Sequence, residues 1–239
     1  MVESNECEHS LPKVIFFDAV GTLFGIQGSV GQIYSQIARK YDVEVDPHSL
    51  NLAFGRVFAT TTPLAFGQVP SSTISQREYE WWYEIVKKTF REIKLLSEFT
   101  DFELFFQDLY VFFGTKKPWY LYPDTVTCLQ KWQKKQVSLG IISNFDTRIY
   151  RVLELLRIKT YFDSITISSE SGYAKPAPEI FKIALTKHDC LAEEAWHIGD
   201  SLQDDYLGSN FVGIKAFFLT RDKIEAQVKN QLPNLNSLG

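Results

Sequence analysis

Residues 14–24 read Val14-Ile15-Phe16-Phe17-Asp18-Ala19-Val20-Gly21-Thr22-Leu23-Phe24. Apolar side chains run unbroken to a single aspartate, and Gly21 then interrupts the pattern. A strand with one wet face would alternate apolar and polar, so this run predicts a strand over 14–20 that is buried on both faces. Similar short runs follow at 137–143, 164–168, 195–199 and 215–219. Helical patterns separate them: 123–136 with Pro123 in the first turn, 147–158 with Ile149, Val152, Leu153 and Leu156 on one face, and 178–187 with Ile180, Phe181 and Ala184. Strand and helix alternating at this spacing predict an α/β fold built on a doubly wound parallel sheet.

The alternation is interrupted once. Between the first strand and residue 123 the periodicity is helical, over 31–41, 75–96 and 99–113. At 239 residues the chain could be one domain with a large insertion or two small ones. The pattern favours a discontinuous α/β core domain of residues 1–24 and 115–239, interrupted by an all-helical domain of residues 25–114. Residues 25–31 and 114–118 are the expected crossings, and 1–12 an expected flexible tail. Of the 35 aromatic residues 15 fall between Tyr79 and Tyr122. Trp81-Trp82, Phe105-Phe106 and Phe112-Phe113 sit at helix-compatible spacings, which predicts a packed helical core rather than a ligand cage.

Composition removes several function classes. Hydrophobic residues at 45% and charged residues at 23% exclude a disordered chain. A formal charge of -4 offers no broad positive field for a nucleic acid or an anionic membrane. Cys7, Cys128 and Cys190 are far apart and form no CxxC, which argues against disulfides and a zinc site and for a cytoplasmic protein. The polar start has no apolar signal core, so export is not expected, and no apolar run reaches the roughly 18 residues of a membrane span.

In an open parallel sheet, ligands bind beyond the carboxyl ends of the strands, where strand order reverses. The polar residues expected there are Asp18 and Thr22 after the first strand, and Ser143, Asn144 and Asp146 after the second. Lys175 follows the third, and Asp200, Ser201, Asp204 and Asp205 the fourth. Singly, each has an ordinary role as turn, cap or solvated charge. Together, in chain order, they suit phosphoryl transfer. Asp18 and Asp200 are hard oxygen ligands of the kind Mg²⁺ accepts, and Lys175 can neutralise phosphoryl charge. Ser143 and the backbone amides near Val20 and Asn144 can donate to phosphoryl oxygens, and a carboxylate beside phosphorus can attack it. His197 lies inside an apolar strand and is expected to be buried and hydrogen-bonded.

These four groups of residues resemble the motifs of the haloacid dehalogenase-like (HAD) hydrolase superfamily, over about residues 14–220. Trp81-Trp82, Lys88-Thr89-Phe90 and Ile142-Ser143-Asn144-Phe145-Asp146 resemble more closely the branch of REG-2-like and HDHD3-like proteins. The resemblance implies a Rossmann-like core, a helical type-1 cap, Mg²⁺ as cofactor and a small phosphorylated molecule as substrate. It implies Asp18 as nucleophile and metal ligand, the Val20 carbonyl and Asp200 as further ligands, and Thr22, Ser143, Lys175 and the Asn144 amide as phosphoryl contacts. Asp205, or its neighbour Asp204, would hold a metal-bound water.

Val20 departs from the pattern, because HAD phosphatases place a second aspartate there as general acid and base. A positioned acid or base is worth roughly 10²–10⁴ in rate, or roughly 3–5 kcal/mol of transition-state stabilisation. Three readings follow. One is a Mg²⁺-dependent phosphatase weakened on poor leaving groups. Another is a metal-independent 2-haloacid dehalogenase, whose halide leaves unprotonated but which has no use for Asp200 and Asp205. The third is a HAD-fold binding or regulatory protein with little turnover.

Overall fold

The computed structural model describes residues 11–221 and 228–239, so the expected tail, including Cys7, lies almost wholly outside the described residues. The expected strands form. β1 Val14–Phe17 lies between β4 Ser138–Ser143 and β6 Ala195–Gly199, with β5 Ser164–Ile167 outside β4. Beyond β6 come β7 Lys215–Leu219 and the short β8 Gln231–Leu232, which the sequence reading did not contain. All pairs are parallel, and the order is β5-β4-β1-β6-β7-β8. The chain builds outward from β1 in one direction and then in the other, so the order reverses beside β1.

Both faces of β1 are buried. Ile15 and Phe17 join Leu139, Ile141, Ile198 and Phe217 on one face, covered by α5 Thr125–Lys134 and α6 Arg148–Leu155. Val14 and Phe16 join Ile142 on the other, under Ile180, Phe181 and Ala184 of α8 Pro178–Thr186. The one-turn α7 Ser168–Ser171 precedes α8. Each such buried side chain contributes roughly 1.5–3 kcal/mol, so the polar-free run reflects two covered faces.

Two boundaries differ from expectation for local reasons. β1 stops at Phe17, not at residue 20, because the Leu23 and Phe24 amides both turn back to the Ala19 carbonyl, at 2.8 and 3.2 Å. Pro123 lies outside α5, which begins after Asp124, while the Thr125 hydroxyl donates to the Leu23 carbonyl at 2.6 Å.

The intervening helices are four, not three. α1 Val30–Ala38 starts with a capping box between Ser29 and Gln32, and α3 Ile74–Glu92 and α4 Phe102–Phe113 match expected helices. α2 Pro47–Thr60 was not expected. Gly55 lowers its propensity and Leu52 and Phe58 are exposed, which blurs the stripe made by Leu50, Ala53 and Val57. Asp46 caps it, accepting from the Ser49 amide at 2.8 Å. These helices enclose an apolar cluster of their own, with Phe90, Phe105, Phe106 and Leu109 at its centre. The crossings are not loops alone: β2 Phe24–Ile26 pairs antiparallel with β3 Trp119–Leu121. No helix among the described residues is long and apolar enough to cross a membrane.

Candidate active site

Asp18 and Asp200, directly after β1 and β6, and Ser143, the last residue of β4, come together at one end of the sheet. Lys175, from the loop before α8, projects its ammonium between two carboxylates, 2.7 Å from Asp18 Oδ1 and 2.5 Å from Asp205 Oδ1. Ser143 Oγ donates to the same Asp18 oxygen at 3.2 Å. Thr22 Oγ1 lies 3.4 Å from Asp200 Oδ1. One carboxylate oxygen from each of Asp18, Asp200 and Asp205 lies within 4.8 Å of the others. Asp204 faces the same cavity but lies outside that trio.

Lys175 touches two of the three carboxylates, and their titration divides accordingly. Burial would raise Asp205, but the Lys175 ammonium and the hydrogen bond from His197 overcome it and hold its carboxyl below the usual range. Burial raises Asp18, with Lys175 opposing and Asp205 reinforcing the rise. Lys175 would be lowered by burial, yet the two carboxylates keep it charged. Asp200 lines the cavity; desolvation, then the charges of Asp18 and Asp205, push it up to about 7. An all-oxygen trio with one carboxylate left without a cation fits a hard divalent ion such as Mg²⁺.

Several parts of this arrangement have no counterpart in the sequence reading. The Asn144 side chain bonds both ways with the Lys175 backbone, accepting from its amide at 2.7 Å and donating to its carbonyl at 2.9 Å. His197 is buried as expected, but its Nε2 stands 3.0 Å from Asp205 Oδ1 and so orients that carboxylate. Its alternation with Gly199 in β6 was the available signal. Arg221 bonds the Gly21 and Thr22 carbonyls and lies 3.4 Å above the Tyr122 ring, clamping the turn after β1 from the far end of the chain.

That turn also depends on Gly21, whose φ is +91°; a Cβ there would stand 2.3 Å from Asp200 Oδ2. Gly21→Ala is therefore expected to cost about 1–3 kcal/mol, read as a lower urea midpoint, and to displace Asp200. An unchanged midpoint would show that the turn relaxes freely.

Above the carboxylates lies a cavity of about 530 Å³, reaching from Asp18, Val20 and Asp200 to the inserted helices. Trp81 and Trp82, expected as helical core, line it instead. Trp82 Nε1 donates to Asp146 Oδ2 at 2.6 Å, and Arg148 forks onto Asp146 at 2.9 and 2.6 Å while covering the Tyr110 ring. Glu78 of α3 accepts from the Thr147 amide at 2.9 Å, giving a second tie between the helices and the start of α6.

Comparison with known proteins shows the family. Residues 12–210 match the haloacid dehalogenase-like hydrolase family. The chain is 26% identical over 229 residues to haloacid dehalogenase-like hydrolase domain-containing protein 3 of Bos taurus, covering 92% of this chain and 87% of that protein. Its fold is similar to the HAD-hydrolase YfnB of Bacillus subtilis, solved bound to magnesium, with a TM-score of 0.74 at 16% identity over 96% of this chain and 97% of the other. It is similar also to the L-2-haloacid dehalogenase of Xanthobacter autotrophicus, with a TM-score of 0.70 at 16% identity over 95% and 97%. At such identities the two solved structures speak to the fold alone. The match over residues 12–210, with the parallel sheet and its motif residues, places the chain in the haloacid dehalogenase-like hydrolase family, on the branch similar to domain-containing protein 3.

Proposed function

We propose that this hydrolase is a Mg²⁺-dependent phosphatase of small phosphorylated metabolites, acting through an aspartyl-phosphate on Asp18. Asp200 carries the reading: it is a third carboxylate in a group holding one ammonium, facing the cavity with no cation partner among the described residues. A metal-free mechanism has no use for that charge. In this reading Asp18, Asp200, the Val20 carbonyl and, through water, Asp205 would hold Mg²⁺, which supplies charge neutralisation at the phosphoryl oxygens. Ser143 and Lys175 aim the Asp18 carboxylate at phosphorus, and with the Asn144 amide they bind the phosphoryl oxygens, while Thr22, expected there too, is fully buried with its hydroxyl toward Asp200. Residues 25–114 act as a cap that closes the cavity and selects what enters. The free thiols Cys128 and Cys190 suit a cytoplasmic location.

Val20 favours a second reading, in which Asp18 attacks the carbon of a 2-haloacid and halide leaves without a proton. It explains Asp205 as the buried partner of Lys175 but leaves Asp200 without a role. Phosphate release from phenyl phosphate, with Mg²⁺ or with a chelator, is measured beside chloride release from 2-chloropropionate. The phosphatase reading expects phosphate release that drops to background on chelation. Chloride release indifferent to metal would replace it with the dehalogenase, and silence in both assays with retained Mg²⁺ binding would leave a binding or regulatory protein.

A further inference from the structure

Two independent features of the cavity bear on what leaves when phosphorus is attacked. The first is Val20, which lines the cavity beside Asp18 and has no proton to give. A leaving group there receives no proton from this position, which favours one that is stable as its anion. The conjugate acid of an alkoxide is close to water, with a pKa of about 15.7, whereas that of a phenoxide resembles a tyrosine side chain at about 10. The phenoxide needs no donor.

The second is the wall away from the carboxylates, built from Phe54, Phe58, Trp81, Trp82, Tyr110 and Phe113. Phe54 and Phe58 stack with centroids 5.4 Å apart, and Phe58 and Trp82 at 6.2 Å, with interplanar angles of 27° and 25°. Trp81 meets Trp82 edge-on at 4.9 Å. The polar atoms of this wall are largely engaged within the protein. Trp81 Nε1 donates to the Thr62 carbonyl at 2.8 Å and Trp82 Nε1 to Asp146, while Arg148 is held by Asp146 and by the Tyr110 carbonyl at 3.0 Å. A sugar or polyol would press hydroxyls against carbon and lose their hydrogen bonds to water. A flat ring meets ring faces and edges, the favoured aromatic geometries. The volume of about 530 Å³ admits such a body.

We propose that the protein hydrolyses small aryl phosphate monoesters, with the phosphoryl group at Asp18 and the aromatic ring against Phe58 and Trp82. This rests on the phosphatase reading above and narrows it. In the first step an Asp18 oxygen bonds to phosphorus as the bond from phosphorus to the aryl oxygen breaks, and the phenoxide keeps the electron pair. In the second, water attacks the same phosphorus, the bond to Asp18 breaks and the carboxylate is restored. The proton that water gives up ends on the phenoxide in solution.

The test is kcat/KM with Mg²⁺ for phenyl phosphate, benzyl phosphate and glycerol 2-phosphate. Benzyl phosphate keeps the ring but must leave as an alkoxide, so it separates the two arguments. Phenyl phosphate is expected to exceed benzyl phosphate by about 100-fold or more, and Val20→Asp to raise benzyl phosphate by a similar factor and phenyl phosphate far less. Benzyl phosphate is expected to exceed glycerol 2-phosphate. A binding measurement needs no turnover: 1-naphthylphosphonate should bind about tenfold more tightly than butylphosphonate by calorimetry, with Phe58→Ala narrowing the difference. Glycerol 2-phosphate or benzyl phosphate turned over as fast as phenyl phosphate would overturn the aryl assignment and leave the phosphatase reading standing. Absence of Mg²⁺-dependent hydrolysis of all three esters removes both.

Discussion

Asp18→Asn is expected to lower turnover by about 10⁴-fold or more, with the melting temperature almost unchanged. The loss follows from the proposed chemistry, since an amide oxygen cannot form the acyl phosphate that the carboxylate forms. At that factor the lost transition-state stabilisation is about 5.5 kcal/mol. The unchanged stability follows from the site's charges. Burial and Asp205 already disfavour the Asp18 charge, and Lys175 opposes them only in part. Asn keeps the shape and removes a repelled charge, while Lys175 retains Asp205 at 2.5 Å. Single-turnover assays and thermal melts on one preparation separate the two effects. A variant that keeps more than about a tenth of the activity would remove Asp18 as nucleophile.

Lys175→Met is expected to have the largest effect on stability. The Lys175 ammonium is buried and is the cation that both Asp18 and Asp205 touch. Methionine fills similar space but leaves two buried carboxylates facing each other and Asp200, and breaking a buried pair from one side costs about 3–5 kcal/mol. For a chain of this size that is roughly a 10 °C fall in melting temperature. Mg²⁺ binding to the folded state should recover more stability in the variant than in the parent, because the site has become more negative. Equal melting temperatures without metal would show that the carboxylates find other compensation. Activity should fall as well, since Lys175 also faces the position proposed for the phosphoryl group.

Arg148, which lines the cavity, is held there by tertiary contacts that its neighbours in sequence do not encode. Arg148 carries the first turn of α6, and nothing in Thr147-Arg148-Ile149 says that it will fork onto Asp146 and cover Tyr110. Trp82 reaches Asp146 across 64 positions in sequence. Its helical spacing with Ile85, Val86 and Phe90 reads as core, because periodicity reports which side chains share a stripe and not whether a cavity opens at one end of it. Asn144 and His197 had ordinary local readings and turn out to hold Lys175 and Asp205. α2 was hidden by Gly55 and by an apolar stripe with exposed members.

The chain by itself determined the sheet, the insertion and the four clusters of polar residues. Unbroken apolar runs are tolerated only where both faces are covered, and each polar group follows the run that delivers it to the sheet's end. Only the tertiary structure decided that one ammonium is shared by Asp18 and Asp205 while Asp200 faces the cavity without a cation, and that Phe58, Trp81 and Trp82 form a carbon wall above them. Charge balance and cavity shape are sums over side chains far apart in sequence. Local propensity acts over a few residues, so it fixes which elements form, and packing determines what they enclose.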